Sequence, residues 1–263
     1  MIVGFDWGNA YTKICTSDKV FSYPSDIISY RKIKVSNALR EHDYLFEYKG
    51  RKGIAGTLAR DEKTALDRTR KGDTKLHEDA LIRLLIGLHQ LPDKHFQIVV
   101  GQPINRHSED KERIIEMVHG VHRIIVNGKE KEIIIKDVAV GVEGGSASLS
   151  NPKSKLHLID IGSGTINFAT VINGRFINSQ STTVSQGMEN IEQDYEGIAA
   201  NIQNIVIDLG WKDFIYILGG GAKVLKDYLP YALFTPIFQG RSYTPEYANA
   251  IGYYKIGEKL WLR

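Results

Sequence analysis

The chain has 263 residues, 34 Lys and Arg against 31 Asp and Glu for a formal net charge of +3, and 42% hydrophobic residues. Such a composition supplies a packed core and excludes disordered and collagen-like chains, and so small a net charge carries no argument for nucleic-acid binding. The single cysteine, Cys15, excludes an internal disulfide and a cysteine-based metal site.

The opening Met1-Ile2-Val3-Gly4-Phe5-Asp6 has no basic n-region, so it reads as neither signal peptide nor anchor, and a cytoplasmic setting is expected. No apolar run reaches the roughly 18 residues of a membrane-spanning helix. Residues 2–5 and 11–15 read as two strands of a hairpin turned at Gly8. Residues 30–75 read as a small inserted lobe, with a strand at 44–48, a Lys49-Gly50 turn and a helix near 58–69. Counted over 31–75, this stretch carries 13 basic and 7 acidic residues, a solvated face on the plain reading. A helix is expected over 76–91, a buried strand over 96–100, and a helix from Ser108 to about Val118. Asn127-Gly128 predicts a type I′ hairpin between strands at 122–126 and 130–142, and a short helix follows over 143–149.

The second half repeats this pattern. A strand at 156–161 is followed by Gly162-Ser163-Gly164, a strand at 165–172 and an Asn173-Gly174 turn. Asp6-x-Gly8-Asn9 and Asp160-x-Gly162-Ser163 stand 154 residues apart in the same strand-acid-turn-strand context, which points to an internal duplication. Apolar spacing over 187–209 predicts one helix, or two joined near Gly197. A strand at 214–218 then ends in Gly219-Gly220-Gly221, a helix is expected over 222–229 and a strand over 232–238. Thr244-Pro245-Glu246 is a start signal for a terminal helix.

Glycine at 8, at 162–164 and at 219–221 follows apolar strands each time, where bare backbone amides can converge on an anion such as phosphate. There is no G-x-x-x-x-G-K-[ST] run, and Gly162 to Asn167 continues into a strand where a dinucleotide fingerprint would open a helix. Phosphate binding here would therefore use hairpins. Asp6 and Asp160 beside the turns suit a hydrated Mg²⁺, which keeps most of its waters and takes one or two carboxylates. Lys13, seven residues past Asp6, can neutralise a phosphate oxygen. Asp-x-Gly is also an ordinary turn, so each copy read alone is more often structural.

Five motifs in order give the chain a family resemblance. Asp6-Trp7-Gly8-Asn9-Ala10-Tyr11-Thr12-Lys13 and Asp160-Ile161-Gly162-Ser163-Gly164-Thr165 look like the two phosphate loops of the actin-like ATPases. Gly219-Gly220-Gly221 matches their adenosine-side loop, and Val142-Glu143-Gly144-Gly145-Ser146-Ala147 and Ala248-Asn249-Ala250-Ile251-Gly252-Tyr253-Tyr254 resemble their connecting segments. Tyr23-Pro24-Ser25 and Val99-Val100-Gly101-Gln102-Pro103 resemble the plasmid-segregation branch, the ParM/AlfA group.

The resemblance implies an α/β, actin-like fold of two duplicated RNase H-like domains around a nucleotide cleft: 1–150, with the inserted lobe, and 151–244, with helix 245–263 returning to the first. The 33 residues of 181–213 are too few for the insertion most members carry in the second domain, a layout shared with the AlfA branch, which lacks subdomain IIB. By the resemblance, Glu143 orients water for attack on the γ-phosphate, with Asp6 and Asp160 as its catalytic partners. The nucleotide, ATP or GTP with Mg²⁺, would lie against Gly8, Asn9, Ala10, Tyr11, Lys13, Gly162, Ser163, Gly164, Thr165, Gly187, Gly219, Gly220 and Gly221. Gly187 is equally an ordinary helix-start glycine.

The implied protein is an ATPase that polymerises with itself head-to-tail into a double-stranded filament, and moves plasmid DNA through a DNA-binding adaptor on the plasmid centromere. Neither direct sequence-specific DNA binding nor a membrane is expected. Two alternatives are a small-molecule kinase on the same fold and a membrane-tethered filament protein of the cell-division type.

Overall fold

The computed structural model describes residues 1–32, 38–64, 67, 74–188 and 194–262. The chain runs β1 (Ile2–Trp7), β2 (Tyr11–Cys15), β3 (Val20–Pro24), β4 (Ile27–Ser29), β5 (Asp43–Tyr48), β6 (Arg51–Gly56), α1 (Thr57–Glu62), α2 (Glu78–His89), β7 (His95–Gln102), α3 (Ile104–Val118), β8 (Gly120–Val126) and β9 (Lys129–Val142). After a 3₁₀ turn at Ser146–Ser150 come β10 (Lys155–Ile161), β11 (Ile166–Ile172), β12 (Arg175–Phe176), β13 (Thr182–Val184), α4 (Tyr195–Asp208), β14 (Ile215–Leu218), α5 (Ala222–Leu225), β15 (Ala232–Leu233), β16 (Ile237–Phe238), β17 (Arg241–Ser242), a 3₁₀ turn at Pro245–Tyr247 and α6 (Ala248–Trp261).

Among the described residues the first sheet is ordered β3-β2-β1-β7-β9-β8-β5-β6-β4, and the second β12-β11-β10-β14-β15 with β13 on β11. Strands β5 and β6, from the stretch expected to form a lobe, extend the first sheet through β8, and β4, just before that stretch, pairs with β6 at the edge. The two halves share one pairing scheme: β1 is antiparallel to β2 and parallel to β7, and β10 is antiparallel to β11 and parallel to β14. The acids fall at matching places in it, Asp6 opposite Lys13 and Asp160 opposite Asn167.

Each half buries its own core. Phe5, Ile14, Leu84, Leu85, Phe96 and Ile98 are among the residues of the first; Ile159, Phe168, Ile202, Trp211 and Ile217 are among those of the second. Helix α6 lies on β1 because Gly4 leaves room: a Cβ there would sit 2.2 Å from the Ala250 carbonyl oxygen. It crosses the 146–150 turn at Gly252, where a Cβ would sit 2.1 Å from the Ser146 oxygen. The two segments therefore cross closely, with Ala147 and Ala248 buried in a shared cluster.

The turn signals hold: Asn127-Gly128 and Asn173-Gly174 both have positive φ at each residue, as a type I′ turn requires. Several helix and strand limits differ from expectation. Helix α3 starts directly after Pro103, whose extended backbone serves as its cap, and not at Ser108. The 143–149 helix is a 3₁₀ turn beginning at Ser146, so Glu143 follows the end of β9 rather than opening a helix. The expected strand over 232–238 is split by Pro236, which cannot donate to a ladder, and its parts pair with different partners. Part of the helix expected near 58–69 lies outside the described residues; the part seen is α1. Among the described residues no helix is long and apolar enough to cross a membrane.

Candidate functional site

A cleft of about 490 Å³ opens between the two hairpins. Asp6, Gly8, Asn9, Ala10, Tyr11 and Lys13 line it from β1 and β2, and Asp160, Gly162, Ser163, Gly164 and Thr165 from β10 and β11. Glu143 and Gly219, Gly220 and Gly221 complete the wall that the sequence anticipates. The turns face one another, since a Cβ on Gly164 would lie 2.9 Å from the Asn9 side-chain nitrogen. Gly219 has φ of +86°, and a Cβ there would meet Asp160 Oδ1 at 2.5 Å, so only glycine lets this turn approach the acid.

Gly187 is the exception. It precedes α4 and does not line the cleft. Its Cα lies against the second hairpin turn, where a Cβ would sit 2.4 Å from the Ser163 carbonyl, and the neighbouring Met188 amide donates to Gly162 oxygen at 3.1 Å. It supports the loop from behind. The helix expected from 187 starts instead at Tyr195, capped by Asp194; residues 189–193 lie outside the described residues.

Three carboxylates converge in the cleft: Asp6, Glu143 and Asp160 are only 5–6% exposed. Lys13 Nζ bonds Asp6 Oδ2 at 2.9 Å, the cross-strand contact their register dictates. Burial pulls the Lys13 pKa down, but the ion pair and hydrogen bond with Asp6 outweigh it and leave it raised. Burial, reinforced by Glu143 and Asp6, pushes the Asp160 carboxyl up to about 7. Glu143 is raised as well, first by burial, with Lys75 opposing and Asp6 adding to the shift.

Residues that sequence reasoning missed hold these acids in place. Asn249 of α6 donates to Asp160 Oδ2, and Asn167 of β11 donates to Glu143 Oε2 at 3.1 Å. Lys75 Nζ lies 3.8 Å from Glu143 Oε1, both side chains buried. Asn167 had a signal, because it follows Asp160 by seven residues as Lys13 follows Asp6. Met188, Val224 and Tyr247 add apolar wall, while Lys223 pairs with Glu246 at 3.2 Å on the α6 side.

Glycine turns offering backbone amides, a lysine and two strand-end acids make a site for a polyphosphate. Its acids fit a divalent cation, whose charge would offset the burial, and the neighbouring carboxylates, that raise Asp160 and Glu143. Among the described residues no three His, Cys, Asp or Glu side chains gather closely enough to enclose a bare metal. The fit is to an ion that keeps its waters.

Comparisons with known proteins bear on the fold. The family profile described as "Actin like proteins N terminal domain" matches residues 4–145. Among solved structures, the AlfA filament from B. subtilis plasmid pLS32 is 24% identical with a TM-score of 0.76, covering 95% of this chain and 97% of that one. An AlfA filament bound to AMPPNP is also 24% identical, TM-score 0.77, with 99% of both chains covered. An apo pSK41 ParM is 21% identical, TM-score 0.70, with 98% of this chain and 97% of that one covered. At such identities these likenesses speak for the fold, which is actin-like. No curated protein sequence matches the chain.

Proposed function

The chain belongs to the actin-like proteins, and from that premise we propose that it is a nucleotide-dependent, filament-forming ATPase that segregates plasmid DNA through a DNA-bound adaptor. The observation that carries this reading is the convergence of Asp6, Glu143 and Asp160 with two glycine hairpins in one cleft. The likeness to AlfA and ParM structures, two of them filaments, supports the assembly part.

In this reading the turns at Gly8 to Tyr11 and Gly162 to Thr165 line the phosphates, the Gly162 amide itself closing its turn on the Thr165 oxygen, and Lys13 neutralises a phosphate oxygen. Asp6 and Asp160 would hold a hydrated Mg²⁺, which would supply positive charge against the negative charge developing on the phosphates. Phosphoryl transfer depends on positioning and charge more than on covalent help. Glu143 supplies the positioning: its carboxylate accepts a hydrogen bond from the attacking water, while Asn167 fixes the other oxygen. Met188, Val224 and Tyr247 form the apolar wall for the nucleoside, and ATP is the nucleotide proposed. Self-association is head-to-tail, a heterologous contact that grows without closing.

Sedimentation and light scattering with and without Mg-ATP test the reading. Pelleting and turnover that both require Mg-ATP support it. Soluble turnover that accelerates only with an added sugar or acid would replace it with the small-molecule kinase reading.

A further inference from the structure

Lys75 has no place in the family motifs, yet it is 5% exposed and lines the cleft beside Glu143. Burying an ammonium is costly unless it is well paired, and an apolar residue of similar size would serve packing better. Its pairing is loose: 3.8 Å to Glu143 Oε1, against about 2.8 Å for a charge-assisted hydrogen bond. The backbone beneath it is by contrast tightly fixed. The Lys75 amide donates to Gln102 Oε1 at 3.1 Å, Gln102 Nε2 donates to Asp110 Oδ2 at 2.8 Å, and Thr74 Oγ donates to the same oxygen at 2.6 Å. Gln102 also holds Glu143, whose amide donates to its carbonyl oxygen at 3.0 Å. One residue at the end of β7 thus sets the spacing between the base of Lys75 and the base of Glu143.

From this arrangement we propose that Lys75 is a positioning residue for nucleotide hydrolysis, holding Oε1 of Glu143 from the first-sheet side while Asn167 holds Oε2 from the second. The inference rests on the proposed ATPase reading. The carboxylate is then gripped by both halves at once, so Glu143 is aligned only when the two halves are in register across the cleft. The loose contact of Lys75 lets Oε1 turn toward water without breaking a strong bond.

Steady-state turnover and equilibrium ATP binding, measured on the full chain and on Lys75→Met, Lys75→Arg, Glu143→Gln and the Lys75→Met/Glu143→Gln pair, test the proposal. Loss of alignment by about 1 Å costs about 100-fold, so Lys75→Met should lower kcat by that order with nucleotide Kd unchanged. Lys75→Arg should recover part of it, and Lys75→Met should cost nothing further once Glu143 is Gln, because the two act as one unit. Independent, multiplying losses in the double variant would overturn the proposal, as would an effect on Kd alone or a wild-type kcat in Lys75→Met. Should Lys75→Met fail to fold, the same comparison with Lys75→Arg decides, since a kcat loss that persists in Glu143→Gln overturns it too. Failure of the underlying reading is separate: wild-type protein would then show no ATP turnover, or turnover only with an added sugar or acid.

Discussion

Asn249 donates its side-chain amide to Asp160 Oδ2 at 2.7 Å while its carbonyl accepts the Gly144 amide at 3.0 Å. One side chain on α6 therefore ties the acid of the second hairpin to the turn that follows Glu143. Asn249→Ala leaves a buried carboxylate oxygen and a buried amide without these partners, a loss of about 1–3 kcal/mol. Thermal unfolding should show the destabilisation, and Mg-ATP titration should show weaker binding. Binding and melting at wild-type values would mean the tie is incidental.

The Asp160 carboxyl, raised to about 7, remains protonated in the folded chain where the unfolded side chain is already ionised. The folded state holds the extra proton, so this group's contribution to stability falls as pH rises from about 4 to about 7. Asp160→Asn should accordingly match wild type near pH 4 and gain on it at higher pH, in melts without nucleotide. Binding of Mg-ATP favours the ionised carboxylate, so wild-type affinity should rise from about pH 6 to about pH 8, and Asp160→Asn should flatten that rise.

Glu143→Gln keeps the shape of the side chain and removes its charge. Nucleotide binding should persist while phosphate release slows by about 10²-fold or more, and filaments, if formed, should last longer. A phosphate-release assay on pelleted protein checks both. Unchanged release would reject the water-orienting role.

Arg60 of α1 donates to the Ala10 oxygen at 2.7 Å, to the Tyr11 hydroxyl at 2.8 Å and to Asp26 Oδ2 at 2.9 Å. It braces the first hairpin from the stretch that the sequence assigns to a lobe. Arg60→Ala should weaken nucleotide binding with little change in melting temperature, because the ion pair is half-exposed and worth about 1 kcal/mol or less. Isothermal titration with an ATP analogue reads the effect.

How far the sequence reaches is visible in particular residues. Hairpin turns were legible because Asn-Gly and Asp-x-Gly encode their own backbone, and the acids because the turns mark them. Lys75 stands in no local pattern, and Asn249, although it lies in a connecting motif, is brought to Asp160 by a contact over a long sequence separation that nothing local marks. Helix periodicity over 187–209 ran ahead of the true start because Gly187 and Met188 are committed to the second hairpin instead. Gly252 is the small residue where α6 touches the Ser146 backbone. Gly252→Leu should accordingly be overpacked by about 1–3 kcal/mol or more, measurable as a lowered melting temperature.

A structure of the chain with Mg²⁺ and a non-hydrolysable ATP analogue would show where the triphosphate sits. Phosphates lodged between Gly8-Asn9 and Gly162-Ser163, with a hydrated cation between Asp6 and Asp160 and Glu143 facing the terminal phosphate, are the predicted result. A nucleotide held elsewhere, or phosphates contacting one hairpin and not the other, would contradict it.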